Sequence, residues 1–253
     1  MDLNYPRDVE RYKYFVREST EHGAKLELRT FRWLVETFTK VGDIILDPMA
    51  GIGTAFLAAT MGRNVVCIEL SGRFVEIQRL NIAELNRTLG INGSTVVLQG
   101  DCRVYLPIPV DAIIFSPPYG SVQKLQKESD FLKRKHISMG YDAQEANIGN
   151  ISIYPAYLEA MKEVYRLCLD CVQAGGVLIL VTKDYIKARE RVFVSSDNVR
   201  VAVEVGWTFS DWHRRYTDPK LFQIKSWEKR VEEGTDKAEL RITYEDLLVF
   251  RKE

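Results

Sequence analysis

Apolar and polar positions along this chain fall into two periods that alternate. Leu26, Leu28, Phe31, Leu34, Val35 and Phe38 recur at helical spacing, which predicts an amphipathic helix over about 26 to 40. Asp43 to Asp47 encloses a short apolar run and reads as a buried strand, followed by a Gly-rich turn and a helix from about Thr54 to Met61. Asn64 to Leu70 reads as the second strand, Arg73 to Leu89 as a helix that Gly90 ends as its C′ residue, Thr95 to Asp101 as the third strand and Val110 to Phe115 as the fourth. The stretch 117 to 153 is rich in Gly, Ser, Asn and Lys and has weak periodicity; a loop of that length inside a domain is usually functional or mobile. Beyond it Tyr157, Met161, Val164, Cys168 and Val172 mark one face of a helix that opens at Tyr154-Pro155 and is stopped by Gly175-Gly176. Val177 to Thr182 is the fifth strand, about 189 to 205 is read as helical, and Gly206 to Tyr216 with Asp246 to Arg251 could pair as a terminal hairpin. Strands alternating with helices predict an α/β fold with a mostly parallel sheet covered on both faces, and ligands in such folds sit at the carboxyl ends of the strands.

Composition narrows the class without naming a function. The chain has 253 residues, 46% apolar and 28% charged, enough for one large domain with a sizeable core and unlike a disordered chain. No apolar run reaches the roughly 18 residues of a membrane span, and the first residues, Met1 to Arg7, lack the apolar stretch of a signal peptide. Four cysteines at this length do not make a disulfide scaffold, so the reading is cytoplasmic, with no membrane partner. Lys and Arg number 35 against 35 Asp and Glu, which argues against a nucleic-acid partner until the charges are located.

Four short motifs fall just after strands. Asp47-Pro48-Met49-Ala50-Gly51-Ile52-Gly53-Thr54 joins a strand to a helix; Gly51 and Gly53 allow close backbone approach to a ligand, or serve only to make a tight turn. The motif is neither a Walker A loop nor a complete G-x-G-x-x-G. Glu69, before Leu70 and 22 residues beyond Asp47, stands where doubly wound folds place an acid on ribose hydroxyls, or is a solvated turn residue. Asp101, before Cys102, could accept from an adenine amino group or N-cap a short turn. Ser116-Pro117-Pro118-Tyr119 follows the fourth strand. Two prolines stiffen the backbone and withhold N–H donors, Ser116 adds a hydroxyl and Tyr119 a ring for stacking, a set suited to the exocyclic amine of a planar base. Cys168 and Cys171 have C-x-x-C spacing but sit late on an amphipathic helix with no second pair, so core packing is expected and no metal site.

With these motifs the chain resembles the S-adenosylmethionine-dependent DNA amino-methyltransferases that act on N4 of cytosine or N6 of adenine. Asp-Pro-Met-Ala-Gly-Ile-Gly-Thr is similar to that family's first motif, with Met49 in place of the common Phe, and Ser-Pro-Pro-Tyr is similar to its catalytic motif. His22 to Leu26, Gly149-Asn150, Gly175-Gly176 and the ending from Glu245 also have counterparts. The resemblance implies a Rossmann-like class I methyltransferase fold, a seven-stranded mostly parallel sheet with a terminal antiparallel hairpin, as a single domain over 1 to 253. It implies that segment 1 to 42 covers the cofactor and that the 117 to 153 insertion contacts DNA. S-adenosylmethionine would be held by Lys25, Asp47, Pro48, Met49, Ala50, Gly51, Gly53, Thr54, Glu69, Leu70, Asp101, Cys102 and Ser116. Ser116, Pro117, Pro118 and Tyr119 would carry methyl transfer to a flipped-out base in double-stranded DNA. Ser in first place leans toward N4-cytosine.

The neutral total conceals segments of opposite sign. From 121 to 136 there are five basic residues against two acidic, from 212 to 230 six against two, and from 231 to 253 four against seven. Lys124, Lys133, Arg134, Lys135, Arg214 and Arg215 are therefore the expected phosphate contacts, with target recognition assigned to the 120 to 153 loop, the 183 to 230 region or a partner. The expected state is monomer or homodimer, with a cognate restriction endonuclease as a candidate partner. Two rivals stay open: an RNA guanosine N2-methyltransferase, which Gly120 after Pro-Pro-Tyr would suit, and a catalytically silent cofactor-binding subunit.

Overall fold

The apolar runs become strands because both faces of each are covered. In the computed structural model, which describes residues 10–21, 26–118, 146–187, 189–216, 231–232, 234 and 242–253, the strands are β1 (Ile44–Asp47), β2 (Asn64–Glu69), β3 (Thr95–Gln99), β4 (Ala112–Phe115), β5 (Val177–Thr182), β6 (Tyr185–Lys187), β7 (Glu190–Val192), β8 (Thr208–Tyr216) and β9 (Tyr244–Arg251). Seven of them form one sheet in the order β3-β2-β1-β4-β5-β9-β8, parallel from β3 to β5, with β9 running antiparallel to both of its neighbours. The expected seven-stranded α/β sheet and terminal hairpin are both present. The order reverses direction between β1 and β4, the crevice where open α/β sheets bind ligands.

The helices are α1 (Arg11–Tyr14), α2 (Leu28–Phe38), α3 (Gly72–Thr88), α4 (Cys102–Tyr105), α5 (Tyr154–Cys171) and α6 (Val194–Glu204). Side chains alternate across the sheet. Leu46, Ile113, Phe115, Leu178 and Leu180 enter a core closed by α5 and α6, and Ile45, Ile114 and Ile179 enter one closed by α2 and the segment Thr54–Met61. Glu27 starts α2 by accepting from Thr30 N at 2.8 Å, and Gly90, at φ +77°, takes up the left-handed position after α3.

Two segments differ from the sequence reading. Thr54–Met61 is a 3-10 helix between Gly53 (φ +77°) and Gly62 (φ +78°), and Thr54 to Ala59 are all buried, so it has no polar face to lay along solvent. The span read as helical from about 189 begins instead with β7, paired antiparallel to β6, and α6 starts only at Val194. Arg189 makes the turn at φ +64°, outside the helical region. Cys67, Cys168 and Cys171 are buried free thiols, the last two in the core as expected.

Candidate active site

The turn after β1 is built by hydrogen bonds to its own backbone. Asp47 accepts from Met49 N at 3.0 Å, Ala50 N donates to Ile68 O at 3.0 Å, and Gly51 N donates to Glu69 Oε2 at 2.7 Å. Gly51 (φ +52°) and Gly53 (φ +77°) are left-handed. A Cβ on Gly53 would stand 2.6 Å from the Phe56 ring and 2.9 Å from Gln78 Cγ. Two fully buried amides of α3 hold the turn from below, Gln78 Nε2 donating to Gly51 O at 2.6 Å and Asn81 Nδ2 to Ile52 O at 2.8 Å. Asn81 Oδ1 also accepts from Val16 N and Ser19 Oγ, and Arg11, 3% exposed, donates to Thr54 Oγ1 at 3.2 Å, so the N-terminal segment is tied to the same turn. Sequence reasoning passed over Gln78, Asn81 and Arg11. The available signal was that Gln78 and Asn81 share the buried face of α3 with Val75 and Leu85.

A cleft opens over the carboxyl ends of β1, β2, β3 and β4. Its wall takes Asp47 to Gly51 and Thr54 from the first turn, Glu69 and Leu70 from the second, Asp101 and Cys102 from the third and Ser116 to Pro118 from the fourth. Gly53 shapes the turn from behind that wall. Leu26 and Phe31 close it from the N-terminal side, and Ala146 to Ile148 close it where the chain returns to β4's neighbourhood. Lys25, Tyr119, Lys124, Lys133, Arg134 and Lys135 lie outside the described residues.

The cleft has an acidic pole. Burial pushes the Asp47 carboxyl up to about 7, a trend that its bond from Met49 N opposes and the nearby Glu69 reinforces. Glu69 receives Gly51 N on one oxygen and Ser71 N on the other, both at 2.7 Å, and its carboxylate stands in the cleft wall. At the third corner Asp101 caps α4, accepting from Arg103 N at 2.9 Å, and pairs with the Arg103 guanidinium at 2.6 Å. Burial works against its ionisation, but the bonds from Arg103 win and hold its carboxyl below the usual value. The capping alternative is thus realised, with Asp101 still in the wall. Burial pushes the Cys102 thiol up to about 12, so it offers contact surface rather than a nucleophile.

In the same cleft, Ser116 Oγ donates to Val181 O at 2.9 Å. Its one proton is spent on β5, and the oxygen presents lone pairs, a pure acceptor between two chain segments that carry no amide N–H at Pro117 and Pro118. Among the described residues no cluster of three His, Cys, Asp or Glu side chains could hold a metal ion, and no helix is long and apolar enough to cross a membrane.

The structure corrects the reading of Arg215 as a phosphate contact. Its side chain is 8% exposed, donates to Glu245 Oε2 at 2.7 Å and stands 4.0 Å from Glu27, so its charge is met inside the protein. Arg214 is half-exposed, but it pairs with the buried Asp246 at 3.0 Å and lies over the Tyr244 ring at 4.0 Å. Neighbouring residues on a strand face opposite sides, and of this pair Arg215 is the one turned inward while Arg214 is turned outward.

Comparison with known proteins bears first on the turn. Residues 5–79 match the family model described as DNA methylase, for N6 and N4 enzymes, so the resemblance read from the motifs holds over that part of the chain. No curated protein matches. Among solved structures, TrmN from Thermus thermophilus superposes with a TM-score of 0.54 at 18% identity over 91% of this chain, which spans about half (50%) of TrmN's length. A methyltransferase from Pyrococcus furiosus gives 0.52 at 14% identity, covering 90% of this chain and 83% of its own. Magnesium protoporphyrin IX methyltransferase (ChlM) from Synechocystis PCC 6803, solved with bound S-adenosylmethionine, gives 0.52 at 13% identity over 89% of this chain and 77% of that one. At these identities the likeness establishes the fold, which is the Rossmann-like fold of methyltransferases.

Proposed function

We propose that this chain is an S-adenosylmethionine-dependent methyltransferase acting on the exocyclic amine of a base in DNA, with N4 of cytosine favoured over N6 of adenine. The observation that carries the reading is the Ser116 hydroxyl fixed as an acceptor by Val181, in the cleft that also holds the acidic pole. An exocyclic amine is a poor nucleophile because its lone pair is delocalised into the ring. Accepting its hydrogens at Ser116 Oγ and at the Pro117 carbonyl favours a tetrahedral nitrogen and returns the lone pair to it. Holding the two reactants in line then supplies much of the rate.

The cleft suits the cofactor. An amino-acid ammonium would balance the buried Asp47 carboxyl, the Glu69 carboxylate in the wall is an acceptor suited to ribose hydroxyls, and Leu70, Cys102 and Ile148 provide apolar surface for a purine. When bound, S-adenosylmethionine would supply the sulfonium methyl group. The DNA methylase match over residues 5–79 supports DNA as the substrate. Gly120 after Ser-Pro-Pro-Tyr supports a second reading, methylation of guanosine N2 in RNA.

One experiment separates them. The full chain is incubated with labelled cofactor and either DNA or tRNA, and the modified nucleosides are identified by mass spectrometry. N4-methylcytosine in DNA is expected. N2-methylguanosine in RNA would replace the first reading with the second, and transfer that persists in Ser116→Ala would end both.

A further inference from the structure

The β6–β7 hairpin projects from the carboxyl end of β5, the strand that anchors Ser116. Val181 O receives the Ser116 hydroxyl, and Tyr185 opens β6 four residues later. Chain geometry limits that distance to about 14 Å. The hairpin is fastened at its base: Asp184, 5% exposed, accepts from Arg191 Nε and Nη2 at 2.9 and 2.7 Å and from Ser195 N at 3.0 Å. Arg191 in turn lies 5.1 Å from the Phe193 ring and 5.6 Å from that of Tyr244. The element is held on both sides, with its tip pointing into solvent.

Its charge is one-sided once the internal pair is set apart. From Lys183 to Phe193 there are four basic residues and two acidic ones. Asp184 and Arg191 satisfy each other, which leaves Lys183, Lys187 and Arg189 against Glu190. Lys187 and Arg189 are exposed at the tip. Arg189 is also the one non-glycine residue with positive φ (+64°) among the described residues. Glycine would take that conformation freely, whereas an L side chain costs about 1–2 kcal/mol there. Folding therefore does not account for a long cation at this position. Charge on a free hairpin edge can also guard against strand pairing, a role that reversed charges would still serve.

We propose that the β6–β7 hairpin holds the phosphates of the DNA strand next to the methylated base, with Lys187 and Arg189 as the contacts. The proposal rests on the DNA methyltransferase reading and adds a surface to it. Phosphate contacts are independent of sequence, so they can be measured without knowing the recognition site.

The test is binding of the full chain to a short fluorescein-labelled duplex of mixed sequence across a salt titration, with methyl transfer to DNA and to tRNA followed in parallel. Lys187→Gln/Arg189→Gln is expected to flatten the slope of log affinity against log salt by about two, one for each lost phosphate contact. Arg189→Gly removes one charge while releasing the strained backbone, so it stays folded and should flatten the slope by about one. Lys187→Glu/Arg189→Glu keeps the edge charged and should weaken binding further than the Gln pair. Arg79→Gln/Arg87→Gln, on the exposed face of α3, serves as the control and should leave the slope unchanged. If the wild type binds and methylates DNA but the hairpin variants keep its slope, or the reversed pair binds as well as wild type, the hairpin proposal fails and the methyltransferase reading stands. If the wild type neither binds nor methylates DNA, or methylates only RNA, the DNA reading fails and the hairpin proposal with it.

Discussion

The two walls of the cleft are built in different ways. On the β1–β2 wall nearly every polar group of the turn is met inside the protein: Gly51 N by Glu69, Gly51 O by Gln78, Ile52 O by Asn81 and Thr54 Oγ1 by Arg11. On the β4–β5 wall Ser116 is fastened through its proton to Val181, its oxygen lone pairs are left for a ligand, and the chain beyond Pro118 passes outside the described residues until Ala146. The DNA methylase match ends at residue 79, so it covers the first wall and stops short of the second. A wall whose hydrogen bonds are closed internally is preorganised for one partner. A wall that keeps acceptors open can be fitted to different amines.

The largest expected effect breaks the second wall alone. Ser116→Ala should lower kcat by roughly 10²–10³-fold, the scale seen when one positioned hydrogen-bonding group is removed from a reacting centre. Cofactor affinity, measured by calorimetry, should stay within about twofold, because the acidic pole is untouched. If affinity fell in step with kcat, the two walls would not be separate. The converse variant is Gly53→Ala. Left-handed φ and a Cβ 2.6 Å from Phe56 together predict a loss of about 2–4 kcal/mol of stability, read by denaturant unfolding, with loss of cofactor binding. Asn81→Ala should cost about 2–3 kcal/mol, since Ile52 O, Val16 N and Ser19 Oγ lose their partner at once. Unchanged unfolding midpoints in either variant would mean that the turn is not held as described.

The walls also differ in how far they could be read from sequence. Strands β1, β2, β4 and β5 were legible because each carries an apolar run, and β5 is buried at every position. The acids and glycines of the first turn stood out because their chemistry requires a place just after a strand. Gln78 and Asn81 did not stand out, since a polar residue on a helix looks solvated until its tertiary partner is known. The β6–β7 hairpin escaped because three-residue strands are too short to show a period. Arg215 was misjudged because counting charge along a segment ignores the alternation of a strand, which turned it toward Glu27 and Glu245.

A smaller effect tests the electrostatics of the first wall. The Asp47 carboxyl is raised from 3.8 to about 7 in the folded protein. Without a cation in the cleft, the folded state therefore keeps a proton that the unfolded chain has already released. The stabilisation this gives is complete below about pH 3.8 and is lost as pH rises to about 7. Melting of the cofactor-free protein should thus show the wild type falling behind Asp47→Asn as pH is raised through that window. Cofactor binding has the opposite sign, because an ammonium needs the ionised carboxylate. Affinity should rise roughly five- to sixfold between about pH 6 and 7.5, the gain from Asp47 ionising being reduced by the start of α-amino deprotonation. A flat profile in the wild type, or an equal rise in Asp47→Asn, would remove Asp47 as the ammonium's partner.

The smallest expected effect extends the first wall to its neighbour after β3 and to what that side of the cleft contributes besides hydrogen bonds. Cys102 is 5% exposed in the cleft, and burial keeps its thiol neutral. Its part in binding is apolar contact, and truncating it removes one sulfur's worth of surface. Cys102→Ala should therefore weaken cofactor binding by about two- to fivefold, with kcat unchanged, in keeping with the roughly 0.8 kcal/mol of a buried methylene-sized group. A fall in kcat larger than the change in affinity would show Cys102 acting on the second wall, and the division of labour between the walls would have to be redrawn there.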